Sequence, residues 1–228
     1  MLWIIFIAFA LLSLIVSTTL KSKMKRYAQK PLSLSGADVA RRMLNDNGIY
    51  DVVIKPTEGV LTDHYNPTDK TINLSKDVYY GANVAAAAIA AHETGHAIQH
   101  ADAYAPLQLR TMLVPVQNLS ATILNIIFIA MFAGAFFLPN IFPMRLALQI
   151  IIVAYGIFTI FAFITLPVEI NASQRAIKWL TDSRIIEGET REQARDGLKW
   201  AAYTYVVAAL SALATLLYYV MLLADRRD

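Results

Sequence analysis

Four long runs without a charged side chain constrain this sequence more than any other feature. They cover residues 1–20, 111–144, 146–168 and 201–224, and each is long enough to cross about 30 Å of hydrocarbon as a helix. Charged residues make up only 16 % of the chain, against about 25 % in soluble domains. The sequence therefore predicts a mainly α membrane protein with four transmembrane helices and a small soluble part.

The predicted segments follow these runs. They are transmembrane helices at 1–20, 119–138, 146–168 and 201–224, a soluble domain at 21–118, a short turn from Pro139 to Arg145, and a helical soluble segment at 169–200 with a break near Gly188. A cleaved signal peptide is the alternative for 1–20. Signal peptides carry their positive charges before the apolar run, whereas here Lys21 and Lys23 follow it, which favours an uncleaved anchor.

The positive charges are divided unevenly among the loops. Of the 20 Lys and Arg residues, eleven lie in 21–118, six in 168–200 and only three elsewhere. Cytoplasmic loops carry the excess of Lys and Arg, so both soluble segments are expected in the cytoplasm and both termini outside. The second and third spans return the chain to the side it left. Residues 168–200 can therefore complete a site that begins in 21–118.

The soluble domain contains short regular elements. The sequence predicts a helix at 36–47, a strand at 52–54, and a hairpin with arms at 60–65 and 71–75 around the turn at 66–69. The second arm, Thr71–Ser75, directly precedes the region of the site. Two interpretations stay open: an edge strand that pairs with extended substrate, or an ordinary half-buried strand.

The segment His92-Glu93-Thr94-Gly95-His96 follows a run of strong helix formers and lies on a predicted buried helix at 83–101. Two histidines four residues apart share one helix face and can bind one Zn²⁺ ion. Glu93 can reach a metal-bound water as general base, and Gly95 allows close packing of the backbone opposite the metal. Chance would produce this H-E-x-x-H pattern about 0.002 times in such a chain. The pattern therefore predicts a metal site.

A catalytic zinc usually has three protein ligands and one open position, so one ligand is still unassigned. The chain contains no cysteine, which leaves His, Glu or Asp. Glu169 is the leading candidate, although a carboxylate there can also simply mark the end of a membrane helix. His100 is about 12 Å along the helix from His92 and is expected on the surface or beside a ligand. His64 can stabilise an oxyanion, or it is a hairpin histidine bonded to Asp63 or to backbone.

Three segments resemble the bacterial membrane-embedded neutral zinc metallopeptidases of the YugP-like type. They run from Leu61 to Pro67, from Ala90 to Gln99 and from Pro167 to Ala176. The resemblance covers most of the chain, including the order of the spans, and implies a small α+β zincin-like catalytic domain of gluzincin type. It implies that His92, His96 and Glu169 bind Zn²⁺ and that Glu93 is the general base.

The chain departs from the wider gluzincin pattern at one position. Many gluzincins have an Asp four residues after the ligand Glu, where it orients a ligand histidine. This chain has Ser173 at that position and Asn171 two residues after Glu169. Either side chain can accept a hydrogen bond from an imidazole N–H, though more weakly than a carboxylate.

These observations predict a zinc-dependent endopeptidase at the cytoplasmic surface of the lipid bilayer. Its expected partners are protein or peptide substrates, membrane proteins among them. The net charge of +3 comes without any nucleic-acid-binding motif, which argues against nucleic acid as a partner. The alternatives are hydrolysis of a non-peptide bond, and a non-catalytic scaffold or transporter subunit with a structural or degenerate zinc site. Transporters usually carry ionisable residues inside their spans, and the four uncharged runs have none.

Overall fold

The computed structural model describes residues 2–59, 62–137 and 144–225 of the chain. Its elements in order are α1 Leu2–Tyr27, α2 Gly36–Asp46, β1 Val53–Thr57, β2 His64–Asn66, β3 Thr71–Ser75, α3 Lys76–Tyr79, α4 Val84–Ala101, α5 Ala105–Phe137, α6 Met144–Asp182 and α7 Gly188–Asp225. The helices α1, α5, α6 and α7 are long and apolar enough to cross a membrane. The prediction of a mainly α membrane protein with four such helices is confirmed.

The long helices extend beyond the predicted spans. Helix α5 begins at Ala105 and contains Pro115, and α6 runs through Pro167 to Asp182. Apolar helices tolerate an interior proline because neighbouring groups satisfy the freed carbonyl, so Pro167 does not end α6. Of the predicted turn at 139–145, residues 139–143 lie outside the described residues, and the last two belong to α6.

The chain divides into two compact units. The apolar unit contains Met1–Ser13, Leu109–Leu166 and Tyr205–Asp228, and the site unit contains Leu14–Gln108 and Pro167–Thr204. Within the apolar unit, Leu124 and Ile127 of α5 pack with Leu148 and Ile151 of α6 and with Tyr219 of α7. The site unit has its own core, built mainly by α2, α4, β3 and the residues around Leu180.

Helix α2 is the local element that the sequence describes best. Ser35 caps it by accepting a hydrogen bond from the Asp38 N–H at 3.2 Å, and Gly48 follows it with a φ of +69°. A serine cap and a glycine in the left-handed region are ordinary start and stop signals. The predicted helix at 36–47 is confirmed to within one residue. Its buried side, which includes Val39 and Met43, packs in the core against α4.

The three strands form one sheet in the order β1-β3-β2, with β1 parallel and β2 antiparallel to β3. The predicted hairpin is confirmed, although its first arm is only His64–Asn66, and residues 60 and 61 lie outside the described ones. The strand predicted at 52–54 is shifted to Val53–Thr57.

Strand β3 is the centre of this sheet, with four of its five residues buried. The interpretation that it is an edge strand available to substrate is therefore wrong. Its backbone pairs with β1 over Thr71–Ser75 on one side and with β2 over residues 71–73 on the other, which makes it a central strand. Strands β1 and β2 are the two edge strands, and of these β2 contacts α4.

Helix α4 is the central helix of the site unit. Asn83 caps it by accepting a hydrogen bond from the Ala86 N–H at 2.9 Å, and its alanines are buried except for Ala101 at its end. Gly95 meets α6 so closely that a Cβ atom there would lie 2.7 Å from the carbonyl oxygen of Ala172. Only glycine permits this approach, as the sequence predicts for Gly95.

Candidate metal centre

Three side chains of the site unit converge on one point. His92 and His96 extend from α4, and Glu169 extends from α6. The Glu169 Oε2 atom lies 3.3 Å from His92 Nε2 and 3.5 Å from His96 Nε2. All three potential ligand atoms lie within 4.8 Å of one another, and the side chains are 3–13 % exposed.

This donor set fits zinc in both chemistry and spacing. Two imidazole nitrogens and one carboxylate oxygen are common ligands of a catalytic zinc site that leaves its fourth position open. In a tetrahedral site with metal–ligand bonds of about 2.0–2.1 Å, neighbouring ligand atoms lie about 3.3 Å apart. The two distances to Glu169 match that value closely. His92, His96 and Glu169 are therefore the residues that would hold Zn²⁺.

Helix packing explains why Glu169 lies beside the two histidines. Val168, Ala172 and Ala176 are fully buried at four-residue spacing along α6, so they lie on one face of the helix. Ala172 on that face meets Gly95, which lies between His92 and His96 in the sequence. Small residues on both helices bring the two backbones together, and the ligands on either side of the contact converge.

Glu93 lies next to this group but is held by a different element. Its Oε2 atom accepts a hydrogen bond from the backbone N–H of Tyr65 in β2 at 3.1 Å, and the residue is only 9 % exposed. Strand β2 pairs with β3 along one edge and contacts α4, where the Tyr65 amide meets Glu93. The edge strand thus positions the predicted general base.

His64 lies on the same edge strand and is exposed. Its Nδ1 atom is 2.7 Å from the carbonyl oxygen of Thr62; because a carbonyl only accepts, Nδ1 donates. Asp63, the alternative partner considered from the sequence, instead accepts hydrogen bonds from the backbone and hydroxyl of Ser75. A role of His64 in catalysis stays a prediction.

His100 is not among the converging side chains. Its Nδ1 atom lies 2.8 Å from the hydroxyl of Tyr65, and the two rings are 5.8 Å apart. Burial, with a smaller contribution from Asp51, raises the pKa of Tyr65 above its ordinary value, so the phenol keeps its proton at neutral pH. This contact joins β2 to the end of α4 next to the site.

His92 and His96 each have a partner for the ring nitrogen Nδ1. The Ser173 hydroxyl lies 3.1 Å from His92 Nδ1, and Gln99 Oε1 lies 3.0 Å from His96 Nδ1. Asn171 contacts Gln99 at 3.0 Å; among the described contacts it reaches His96 only through that glutamine. Gln99 is not among the site residues predicted from the sequence. Its signal there is an amide three residues after His96, in a helix rich in alanine.

The charges around the site act most strongly on His96. Burial lowers the pKa of this imidazole, but the Glu169 and Glu93 carboxylates and Gln99 raise it by more, so the pKa of His96 lies above its ordinary value. A proton and a metal ion compete for the same nitrogen in such a site. Metal binding at this position is therefore expected to release a proton.

Comparisons with known proteins agree with this geometry. A family model described as "Putative neutral zinc metallopeptidase" matches residues 2–224. A protein of Bacillus subtilis (strain 168) named "Putative membrane protease YugP" is 39 % identical over 211 residues, which cover 91 % of this chain and 90 % of that protein. No solved structure matches the chain. Both the family and the His-His-Glu group indicate Zn²⁺ as the cofactor, and the four apolar helices indicate a multi-pass membrane protein. The chain thus belongs to this neutral zinc metallopeptidase family.

Proposed function

We propose that this protein is a membrane-embedded, zinc-dependent endopeptidase that cleaves peptide bonds close to the cytoplasmic membrane surface, with Glu93 as its general base. The observation that carries the proposal is the placement of Glu93. Its carboxylate follows the ligand His92 directly in α4 and is bonded to the Tyr65 amide. It is not one of the three converging donors, so it is available for proton transfer.

The reaction needs two contributions. Zinc, when bound, acts as a Lewis acid that polarises the scissile carbonyl and lowers the pKa of a water molecule. Glu93 accepts the proton of the attacking water and passes it to the leaving amine, so that a C–O bond forms as the C–N bond breaks. The Tyr65 N–H binds Oε2 of Glu93, and we assign the proton transfer to the other oxygen.

The proposed orientation rests on charge. The excess of Lys and Arg in 21–118 and 168–200 supports a cytoplasmic site with both termini outside. In the site unit, Lys23 lies 5.6 Å from the Trp200 ring centre and Lys199 lies 5.7 Å from that of Tyr203. Basic and aromatic side chains of this kind collect at membrane–water interfaces, which supports an interface at this level of the helices.

The proposed substrates are proteins or peptides at the membrane surface, such as loops and tails of membrane proteins. Glu169 directly follows the uncharged run 146–168 in the same helix, α6. A ligand so close to the end of an apolar span holds the site close to the bilayer. Substrates anchored in that bilayer reach such a site at high local concentration.

The decisive experiment compares the wild-type chain with Glu93→Gln in detergent, by metal analysis and casein-type cleavage with and without a chelator. Glu93→Gln is expected to keep near-stoichiometric zinc and to lose about 10²–10⁴-fold in rate. Glu192→Gln, at an exposed position on α7, is the matched control and keeps both. Wild-type cleavage by Glu93→Gln, or cleavage unaffected by the chelator, would remove the proposal.

A further inference from the structure

Gln99 is a wholly buried amide in contact with both ligand-bearing helices. It is 0 % exposed and lies three residues after His96 on α4. Its Nε2 atom donates to the backbone carbonyl of Val168 at 2.8 Å and to Asn171 Oδ1 at 3.0 Å, both on α6. A buried amide costs stability unless its polar atoms are paired, and this one uses both its nitrogen and its oxygen.

The orientation of Gln99 follows from its partners. The Val168 carbonyl can only accept a hydrogen bond, so the amide must present Nε2 to it. A flipped amide would set Gln99 Oε1 against the Val168 and Asn171 oxygens, and two acceptors cannot bond each other. Oε1 is therefore on the side of His96, and Nδ1 of that ring must carry a proton to meet it.

The orientation of Asn171 is set in the same way, from further along α6. Arg175 Nε donates to Asn171 Oδ1 at 2.8 Å, and a guanidinium can only donate. Asn171 therefore presents its oxygen to Arg175 and to Gln99 together. Arg175 is in turn held by Asp102, whose Oδ2 accepts from a guanidinium nitrogen at 2.6 Å.

We propose that Gln99 is a positioning residue that holds His96 as the Nδ1–H tautomer and joins its ring to the Glu169 helix, with Asn171, Arg175 and Asp102 fixing its amide through a chain of hydrogen bonds. The proton on Nδ1 leaves the lone pair of Nε2 for the metal, on the side where Glu169 Oε2 lies at 3.5 Å. The bond to the Val168 carbonyl keeps α6 in place one residue before Glu169.

This chain of bonds supports a different histidine from the one that contacts the position four residues after Glu169. Ser173 at that position lies beside His92. A hydroxyl both donates and accepts, so by itself it does not determine which tautomer of His92 forms. The orientation of His96 comes instead from α4 itself, and the charge that supports it lies farther away, on Arg175 and Asp102.

The test uses the full chain in detergent and two readouts besides activity. Zinc affinity is measured by competition with a chelator, and the His96 Nδ1–H group is followed in ¹⁵N-histidine spectra of the zinc-loaded protein. The chain has only 4 histidines, so the signals can be assigned with single variants. The inference rests on the zinc site of the proposed function, but neither readout requires peptide cleavage.

Gln99→Met, of similar length but without the amide, is expected to lower zinc affinity by about 10–100-fold and to shift the signal of the His96 Nδ1–H, which loses its acceptor. Gln193→Met is the matched control, because Gln193 is also buried, at 6 % exposure, but its amide donates to Glu189 on α7. That variant should keep wild-type zinc affinity and ring signals. Wild-type zinc affinity together with wild-type His96 signals in Gln99→Met would overturn the inference.

A second variant decides the question if Gln99→Met does not fold. The Arg175 side chain is 29 % exposed, so Arg175→Met should fold while it removes the donor that orients Asn171. Zinc affinity is expected to fall by about threefold to tenfold, less than the loss of a direct partner of a ligand. Unchanged affinity and His96 signals in this variant would also overturn the inference. A wild-type chain that passes these tests yet cleaves no peptide would instead contradict the proposed endopeptidase function alone.

Discussion

The contact between Gly95 and Ala172 couples the stability of the site unit to its affinity for zinc. An added Cβ at Gly95 would lie 2.7 Å from the Ala172 carbonyl oxygen and 3.2 Å from its carbonyl carbon and Cα, whereas ordinary contact begins at 3.4 Å. Because the obstacle is backbone, the two helices must separate locally by about 0.7 Å at the closest atom pair. Overpacking of this kind costs about 1–3 kcal/mol.

The same separation acts on the ligands on either side of the contact. His92 and His96 Nε2 lie 3.3 Å and 3.5 Å from Glu169 Oε2. A shift of about 0.7 Å exceeds the roughly 0.5 Å within which a functional site must be held. We therefore expect Gly95→Ala to weaken zinc binding by about tenfold or more and to lower the free energy of unfolding.

Gly156→Ala is the matched control, because a Cβ at that helical glycine meets nothing within 4 Å. Alanine is favoured over glycine in a helix by about 0.5–1 kcal/mol, so this variant should be slightly more stable and bind zinc like the wild type. The assays are chelator competition and thermal unfolding in detergent. Wild-type stability together with wild-type zinc affinity in Gly95→Ala would refute the argument from close packing.

Three further predictions concern the ligands and the topology. Glu169→Ala should lose both zinc and activity, because two imidazoles alone leave the site one ligand short. Metal analysis should therefore find little zinc in this variant, whereas Glu93→Gln keeps it. Full zinc retention in Glu169→Ala would refute the ligand role. His64→Ala should keep its zinc, because its ring is bonded to the Thr62 carbonyl; loss of zinc would make His64 a ligand. A reporter fused after residue 228 should be extracytoplasmic and one inserted near Gly59 cytoplasmic; both on one side would refute the four-span topology.

The features that the sequence predicted correctly are those with a local physical cause. An uncharged run of about 20 residues needs no partner to indicate a membrane helix, and a serine cap with a following glycine delimits α2 within one short segment. The spacing of His92 and His96 belongs to the same class, because a helix alone places them one turn apart. Even the close approach at Gly95 is indicated locally by the absence of a side chain.

Tertiary structure decided what depends on contacts between distant residues. Strand order is one example: β3 became central because β1 pairs with it from one side, and alternation within a strand carries no information about its neighbours. The contact of the Tyr65 amide with Glu93 joins residues 28 positions apart, and that of Gln99 with Val168 joins residues 69 apart. Such pairings exist only after α4 has packed on the sheet and on α6, since neither partner's local sequence specifies the other.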